Sequence, residues 1–424
     1  MKSKTAKYFV SYSVFMEYWK KNLYVLWGTQ FLVMLGMHML IPFLPFYIKE
    51  LGINNPDEIS RWSGLVFAGT FITSFIATPI WGSLGDRYGK KLMVVRALFG
   101  LALSQVLMGF SQDVYQLLLF RLLQGAISGF IAATLALVST STPRENIGYA
   151  LGILQSSTAG GTMLGPAVGG FLADIIGYRE IFFITASLCF IGGFIVIKFV
   201  QEVNNVIPVK ASSSVLQNFR TMITNRKLRI IGVVIILSQM ASLMIEPLFA
   251  LFVENFKTST RYLSTVTGIT IAVSGVFMVI SSPWWGKRND KYGFKQNLIM
   301  SLTWTGIAYS LHMVIPTILT LILLRAVLGF ARGGILHSLY SMTNLHSPES
   351  QKSGMIGVAS SLTVLGNMIG PLSGGMIASY FGLNGVFIIN SIIFLMCSVI
   401  VWSYYIEPAK INQNLKTTNE STLI

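Results

Sequence analysis

Charged residues are scarce in this chain of 424 residues, since only 11% are Asp, Glu, Lys or Arg and 53% are apolar. A soluble domain carries about 25% charged residues. So few charges cannot cover the water-facing surface of a 46.8 kDa globule, and the mean hydropathy is +0.64. The scarcity excludes a soluble, disordered, collagen-like or coiled-coil protein. It predicts that a bilayer surrounds most of the chain.

Cysteine is scarce as well, and both residues, Cys189 and Cys397, lie inside long apolar runs. This placement excludes a disulfide framework and a metal site, and we expect two small core or lipid-facing residues. The Lys-rich first 22 residues lack the cleavage pattern of a signal peptide, so we expect the first helix to be retained. No nucleophile elbow, phosphate loop or catalytic His/Asp/Cys cluster is present, which argues against an enzyme.

Long apolar runs are abundant. A helix that spans a bilayer needs roughly 20 largely apolar residues. The sequence predicts an all-α membrane protein with twelve spans at 23–48, 62–84, 92–110, 115–141, 148–174, 180–201, 228–253, 262–285, 298–315, 317–343, 353–379 and 383–406. They divide the chain into a tail (1–22), a first bundle (23–201), a linker (202–227), a second bundle (228–406) and a second tail (407–424).

The net charge of +15 follows from topology. Of the 31 Lys and Arg residues, 23 fall in the tails, the even-to-odd loops and the adjoining helix ends. Five fall on the opposite side, and three lie within spans. The positive-inside rule therefore predicts cytoplasmic termini in a cell membrane and removes the argument for a nucleic-acid partner.

The two halves of the chain repeat one another at an offset of 204 or 205 residues. Matched pairs include Gly82 with Gly286, Arg121 with Arg325, Pro42 with Pro247, and Gly165-Pro166 with Gly370-Pro371. Two parallel repeats of six helices are an arrangement used by secondary transporters. We expect a transport pathway between the halves.

The loop after helix 2 carries the first specific motif. It reads Gly82-Ser83-Leu84-Gly85-Asp86-Arg87-Tyr88-Gly89-Lys90-Lys91, and a degraded copy with Asp290 and Gly293 follows helix 8. A simple basic turn would need neither the Asp nor this glycine spacing. Here the chain resembles the major facilitator superfamily, whose signature loop is G-x-x-x-D-R-x-G-R/K-K. The resemblance implies two pseudo-symmetric six-helix bundles and a gate at Gly82, Asp86, Arg87, Gly89 and Lys90.

Three further stretches are similar to the twelve-helix drug:proton antiporter branch of that superfamily. They are Leu35-Gly36 with Pro42-Phe43-Leu44-Pro45, then Arg121-Leu122-Leu123-Gln124-Gly125, and Gly161-Thr162-Met163-Leu164-Gly165-Pro166-Ala167-Val168-Gly169-Gly170. The resemblance implies export of a small molecule driven by a proton gradient, with no other cofactor.

The helix 5 element has two interpretations. Gly161, Gly165 and Gly169 share one helix face, so another helix can pack closely there, and this packing is one reading. Pro166 also weakens the backbone ladder. The resemblance favours a bend used in alternating access, with Gly366, Gly370, Pro371 and Gly374 as the partner set.

Charges inside the spans are costly and therefore informative. Glu246 is the acid that lies well inside a span, and Arg121 and Arg325 lie at a similar depth. In the superfamily, helices 1, 4, 7 and 10 line the central cavity, which would bring all three together. Glu246 would exchange a proton for substrate while Arg121 tunes it. The alternative is a structural ion pair between Glu246 and either arginine.

Other candidates carry less weight. His38, Arg332 and His337 could contact substrate or relay protons, or they could be ordinary hydrogen-bonded residues. Methionine adapts to bulky apolar ligands, so the expected cavity lining is Met34, Met37, Gln124, Met240 and Tyr340. Helix 1 has no acid between Asn22 and Ile48, unlike several antiporters of the branch. Either Glu246 alone couples protons, or the substrate is not a cation.

These patterns predict a monomeric exporter of amphipathic drugs that works by proton antiport. Export of a self-made metabolite such as a siderophore, or of a sugar, is the runner-up, because fold does not fix substrate. A membrane receptor or enzyme is the distant alternative. The expected partners are the bilayer, protons and a small-molecule substrate.

Overall fold

The computed structural model describes residues 2–202, 215–256 and 262–405. Within these ranges, the side chains of residues 2–17, 144, 215 and 353 lie outside the description. Residues 203–214 of the linker, the second tail, Lys257 and Arg261 are likewise outside the described residues. The described chain is helical, as the sequence predicts.

The first half contains six helices. Helix 1 comprises Lys2–Met39 and Leu44–Glu50, helix 2 is Pro56–Tyr88, helix 3 is Lys90–Gly109, helix 4 comprises Val114–Ile127 and Phe130–Ser141, helix 5 is Ile147–Ile176, and helix 6 is Tyr178–Phe199.

The second half repeats this arrangement after a short linker helix, Val215–Thr224. Helix 7 comprises Arg226–Met244 and Phe249–Glu254, helix 8 is Leu263–Tyr292, helix 9 is Phe294–Leu311, and helix 10 comprises Ile318–Arg332 and Ile335–His346. Helices 11 and 12 form one run, Lys352–Tyr404, that turns at Gly382.

The count of twelve spans is consistent with the described residues. Ten stretches are long and apolar enough to cross a bilayer, and one of them, Gly354–Tyr404, contains helices 11 and 12. Helix 9, with 18 residues, completes the set. Large apolar side chains such as Ile76, Phe110 and Trp402 are exposed on the outside of the bundle, where lipid would cover them. Cys189 and Cys397 are buried free thiols, as expected.

Four helices that the sequence predicts as continuous are broken at mid-span. Helices 1 and 7 pass through one turn of 3-10 helix at Pro42 and Pro247. Helix 4 breaks at Ser128–Gly129, where Gly129 has a left-handed φ of 111°, and helix 10 breaks after Arg332. Each break frees backbone carbonyls that need donors within the protein.

Tryptophan side chains supply part of that need at helices 4 and 10. The Trp81 indole N–H donates to the Ala126 carbonyl at 2.7 Å, and Trp285 donates to the Phe330 carbonyl at 2.8 Å. These two contacts are related by the internal repeat. The repeat therefore extends to the side chains that stabilise the broken helices.

The short turns between neighbouring helices depend on glycine. Gly89, Gly177, Gly293 and Gly382 connect helices 2–3, 5–6, 8–9 and 11–12, and all four have a positive φ between 69° and 101°. Side chains with a Cβ rarely adopt this conformation. The glycine spacing in the signature loop thus has a direct backbone cause.

The two halves contact each other closely at the end of the bundle remote from both termini, here called the far end. Gly64 of helix 2 lies against the Pro371 carbonyl of helix 11, and Gly268 of helix 8 lies against the Pro166 carbonyl of helix 5. The two contacts are equivalent under the internal repeat. Absence of a Cβ at both glycines is what allows the halves to approach this closely.

Polar contacts also join the halves at the far end. Lys49 forms an ion pair with Glu254, with Nζ 2.9 Å from Oε2. The Asp174 carboxylate accepts hydrogen bonds from the backbone N–H groups of Ser264 and Thr265 at 3.1 and 2.7 Å. At the opposite, near end, Gly148, Gly152 and Gly357 face open space. The conformation is therefore closed at the far end.

Candidate functional site

Glu246 lies at the junction of the two halves. It begins the 3-10 turn Glu246–Leu248 that interrupts helix 7, and this turn packs against the matching turn Ile41–Phe43 of helix 1. The side chain is half-buried. Among the described residues, no Lys, Arg or His nitrogen lies within 4.0 Å of its carboxylate. The structural ion pair that the sequence left open is therefore not formed in this conformation.

His38 of helix 1 faces the same junction from the other half. It is half-buried and lies within electrostatic range of Glu246. Its Nδ1 is 2.8 Å from the Met34 carbonyl oxygen, so the hydrogen on Nδ1 donates and Nε2 stays available as an acceptor. The structure thus brings His38 and Glu246 together across the two halves.

Arg121 is directed into its own half instead of toward Glu246. It is 5% exposed, and its Nη1 donates to Gln124 Oε1 at 3.1 Å. Gln124 also accepts from the Thr70 hydroxyl at 3.3 Å and donates weakly to Met37 Sδ at 3.7 Å. Helices 1, 2 and 4 therefore hold Arg121 in a polar network. The R-x-x-Q-G spacing places Arg121 and Gln124 one helical turn apart, which explains this pairing.

Arg325, the repeat equivalent of Arg121, has different surroundings. Its guanidinium carbon lies 3.5 Å from the centroid of the Phe249 ring, and the residue is 4% exposed. Glu246 and Arg332 both lie within electrostatic range of Arg325. The Arg325 guanidinium forms no ion pair with Glu246. Arg332 is half-buried at the break in helix 10, and His337 is exposed beyond it. The sequence predicts that Arg121 and Arg325 both converge on Glu246. Of these two arginines, Arg325 alone lies within electrostatic range of Glu246.

The residues expected to line the cavity are mostly packed inside the halves. Met34 is 6% exposed and packs in the first-half core, while Met37 accepts a hydrogen bond from Gln105 at 3.1 Å. Met240 packs beside Gly370 of helix 11. The Tyr340 hydroxyl is 3.1 Å from the Thr363 hydroxyl, which links helices 10 and 11. In this conformation Met34 and Gln124 are buried and do not line an open cavity.

The signature loop is organised by a residue that the sequence did not single out. Glu202, just after helix 6, accepts hydrogen bonds from the Lys90 and Lys91 backbone N–H groups at 2.7 and 3.0 Å. It caps the start of helix 3 directly beside Gly89. Asp86 pairs with Lys90 at 3.4 Å, and Arg87 is exposed and lies over the Tyr88 ring. A glutamate over 100 residues away carries no local signal of such a role.

The second copy of the loop makes amide contacts. Asn289 donates to the Ser338 hydroxyl at 2.9 Å, and the Arg288 Nε donates to Asn297 at 2.9 Å. Asp290 is exposed, and Gly293 ends helix 8. The degraded motif thus keeps its turn.

The helix 5 glycine face packs on helix 1. A Cβ at Gly161, Gly165 or Gly169 would overlap the backbone near Leu35, His38 or Met39. Helix 5 continues through Pro166 as one helix. In the second half, Gly366, Gly370 and Gly374 pack on helix 7. The two glycine faces are therefore not partners of each other, because each one packs within its own half.

The glycines that contact the other half are the next ones along helices 5 and 11. Gly170 lies against the Ser264 carbonyl, and Gly375 lies against the Ser60 carbonyl. Gly64 and Gly268 belong to the same set of contacts, and neither is singled out by the spacing argument or the resemblance, whereas Gly170 is part of the helix 5 element. The signal for Gly64 and Gly268 was present in the repeat, since they are also 204 residues apart.

Comparison with known proteins places this geometry in a family. The profile of the Major Facilitator Superfamily matches residues 26–265 and 231–423. The chain is 32% identical to multidrug resistance protein MdtG of Proteus mirabilis, over 92% of this chain and 98% of that protein. It is 34% identical to the protein of the same name from Salmonella schwarzengrund, over 91% and 95% of the two chains.

Solved structures share the fold at low sequence identity. The nucleoside transporter NupG superimposes with a TM-score of 0.76 at 14% identity, over 91% of this chain and 99% of that one. A D-xylose-proton symporter superimposes with a TM-score of 0.76 at 14% identity, over 92% and 98%. These likenesses concern the arrangement of the helices.

Proposed function

The chain belongs to the Major Facilitator Superfamily, and from this premise we propose that it exports amphipathic small molecules in exchange for protons. It is a multi-pass membrane protein, and relatives at 32% and 34% identity carry the name multidrug resistance protein. This name favours drug export over siderophore or sugar export. We propose that the protein works as a monomer, since each half supplies one side of the junction.

The distribution of basic residues supports a cytoplasmic near end. Arg87, Lys90 and Lys91 lie in the loop after helix 2, and Lys287, Arg288 and Lys295 lie near the equivalent loop after helix 8. Lys and Arg concentrate on the cytoplasmic side of membrane proteins. With this orientation, the far end faces outward and is closed, and substrate enters from the cytoplasm.

Glu246 carries the proposal. It is an acid within the span of helix 7, at the junction of the halves, with no ion-pair partner among the described residues. An unpaired acid in low dielectric can hold a proton, and an approaching cation favours release of that proton. The proton leaves the carboxyl toward the near end as the substrate binds. After the far end opens, a new proton from outside displaces the substrate.

His38 is the proposed positioning residue for this exchange. His38 Nε2 is available as an acceptor, and helix 1 has no acid between Asn22 and Ile48. A neutral imidazole accepts a hydrogen bond from a protonated carboxyl and so favours the loaded state of Glu246. Replacing His38 with Gln would keep a hydrogen-bonding group and remove the ring.

The test uses purified protein in liposomes with an imposed pH gradient and amphipathic dyes of positive, neutral and negative charge. Wild type should concentrate at least one dye class. Glu246→Gln should bind and exchange the same dye without concentrating it, because no proton is exchanged. Glu58→Gln, the same change at an exposed position in the first turn of helix 2, is the control and should still concentrate the dye.

Two results would contradict the proposal. Concentration of dye by Glu246→Gln at the wild-type level would show that another group couples protons. Absence of pH-driven flux for every dye class in folded wild-type protein would remove drug antiport as the function. A preference for the anionic dye would redirect attention from Glu246 to the buried arginines.

A further inference from the structure

The second half contains a buried group of polar side chains that the proposed mechanism does not use. It consists of Arg325 of helix 10, Tyr309 and His312 at the end of helix 9, and Asn390 of helix 12, here called the helix 9 cluster. Arg325 is 4% exposed, His312 is 1%, and Tyr309 and Asn390 are fully buried. Four polar side chains from three helices are thus withdrawn from both water and lipid.

Aromatic rings hold the cluster together. The His312 ring stacks on Phe387 with centroids 4.9 Å apart, and Tyr309 stacks on Phe394 at 5.5 Å. Asn390 lies between Phe387 and Phe394 on the same face of helix 12, three residues from one and four from the other. Helix 12 therefore presents Asn390 toward the end of helix 9.

Arg325 approaches the cluster from helix 10. Its guanidinium lies over the Phe249 ring, and both Tyr309 and His312 are within its electrostatic range. The elements involved are helices 7, 9, 10 and 12, all of the second half. The cluster is therefore built from the second half alone, and Glu246 at the junction lies within electrostatic range of its Arg325.

The polar atoms of the cluster lack partners within the described protein. Those without a hydrogen bond are Arg325 Nε and Nη2, Tyr309 Oη, His312 Nε2, and Asn390 Nδ2 and Oδ1. His312 Nδ1 donates to the Ala308 carbonyl at 2.7 Å, so Nε2 is an acceptor. A buried donor without a partner is costly, and four of these six atoms can donate, whereas His312 Nε2 and Asn390 Oδ1 are acceptors.

The charges around the cluster do not balance. Arg325 and Arg332 carry two positive charges, and Glu246 is the one acid within electrostatic range of Arg325. No carboxylate among the described residues is within 4.0 Å of Arg325. A buried guanidinium without a counter-charge is strongly unfavourable in a membrane protein.

From these observations we propose that the helix 9 cluster binds one small inorganic anion of halide size, with chloride as the physiological ligand. Arg325, the Tyr309 hydroxyl and the Asn390 amide supply the donors. The Phe249 and Phe387 rings, which contact Arg325 and His312, complete the walls. An anion with a large organic part does not suit the cluster, because aromatic side chains occupy the remaining space.

Comparison with the first half explains why we place the anion in the second half alone. At the equivalent position, Arg121 donates to Gln124, whereas the residue that replaces Gln124 in the repeat is Leu328. The equivalents of Tyr309 and His312 are Gln105 and Met108. Arg121 has a protein acceptor, and Arg325 has none among the described residues.

The test measures thermal unfolding of the full-length protein in lipid nanodiscs, with sodium chloride replaced stepwise by sodium gluconate at constant ionic strength. In wild type, the unfolding midpoint should rise by about 2 °C for each tenfold increase of chloride above its dissociation constant. Bromide should substitute for chloride, and gluconate should not. The measurement needs no transport, so its outcome is independent of the proposed function.

Variants locate the effect. Tyr309→Phe keeps the ring and removes one donor, and it should shift the chloride dependence at least tenfold to higher concentration. Arg325→Gln should abolish the dependence, while Arg121→Gln, the matched control, should retain it. No chloride dependence in wild type, as expected if water alone fills the cluster, would overturn the proposal. An undiminished dependence in Tyr309→Phe and Arg325→Gln would overturn it as well.

Discussion

The two halves of the protein interrupt their helices in nearly the same way, but the partners of their buried polar side chains differ. Both break their first helix at a proline, both break their fourth helix at glycine, and both satisfy a freed carbonyl with a tryptophan. In contrast, Arg121 is hydrogen-bonded to Gln124, and its equivalent Arg325 lies over Phe249. Close packing and a buried arginine are thus common to both halves, and the partner of that arginine is not.

This difference indicates which features take part in the movement of the two halves relative to each other. Contacts that occur twice, at positions related by the repeat, hold the halves together at the far end and must separate when it opens. Features that occur once, such as Glu246, His38 and the helix 9 cluster, are suited to chemistry that needs a direction. Four predictions test the comparison, beginning with the largest expected effect.

The first prediction concerns the glycines at which the halves meet. Gly64→Val and Gly268→Val should each reduce proton-driven flux by about 5- to 150-fold, because overpacking a close contact costs about 1–3 kcal/mol. The structural reason is that a Cβ at either position would overlap a proline carbonyl of the other half. The measurement is dye flux in liposomes together with hydrogen exchange at the far end, which should increase.

Gly152→Val and Gly357→Val are the matched controls for these variants. They are also related by the repeat, but a Cβ at either site meets open space. Flux within about twofold of wild type is expected, since surface changes away from special contacts usually have small effects. If the two interface variants differed strongly from each other, the far end would not be functionally symmetric.

The second prediction concerns a far-end contact that differs between the halves. The Asp174 carboxylate accepts two backbone N–H groups and the Thr265 hydroxyl, at 2.6 to 3.1 Å. Its repeat equivalent, Ser379, accepts one bond from Arg61 Nε at 3.0 Å. Asp174→Ala should weaken closure by about 1–3 kcal/mol, and Ser379→Ala by about 0.5–1 kcal/mol.

Hydrogen exchange at the start of helix 8 measures this difference. Asp174→Ala should raise the exchange of the Ser264 and Thr265 amides, which lose their acceptor. Ser379→Ala should leave those amides at the wild-type rate. Equal exchange in the two variants would show that Asp174 does not hold the far end closed.

The third prediction concerns the tryptophans. Trp81→Phe and Trp285→Phe should each destabilise the protein by about 1–3 kcal/mol, because each leaves a buried carbonyl without its donor. Trp285 is 2% exposed, whereas Trp81 is only half-buried, so the effect should be larger for Trp285. Chemical unfolding in nanodiscs measures the difference. Equal stability of Trp285→Phe and wild type would show that another donor replaces the indole.

Much of this architecture is predictable from the sequence. Apolar runs of about 20 residues reveal the spans, and the offset of 204 or 205 residues reveals the two halves. The glycines of the signature loop predict a tight turn, and Gly89 has the positive φ that such a turn needs. These features are local, because each depends on a few neighbouring residues.

The site is less predictable, because side-chain direction depends on packing between distant segments. Arg121 and Arg325 lie at matching sequence positions, yet neither pairs with Glu246 in this conformation. Glu202 caps helix 3 from a position over 100 residues away. The breaks in helices 4 and 10 also escape a hydropathy pattern, since the residues on both sides of each break are equally apolar.

The last prediction has the smallest expected effect and tests the symmetry most directly. Lys49 and Glu254 are 205 residues apart, so the ion pair joins two positions that the repeat makes equivalent. Their side chains are 36% and 43% exposed, and an exposed pair contributes about 0–1 kcal/mol. Lys49→Glu alone should therefore slow flux only a few-fold, through repulsion between two carboxylates. The double variant Lys49→Glu with Glu254→Lys should return to the wild-type rate, because exchanging charges between equivalent positions recreates the same pair. If the double variant stayed as slow as Lys49→Glu, the two surroundings would differ, and the symmetry of the far end would be limited to its backbone.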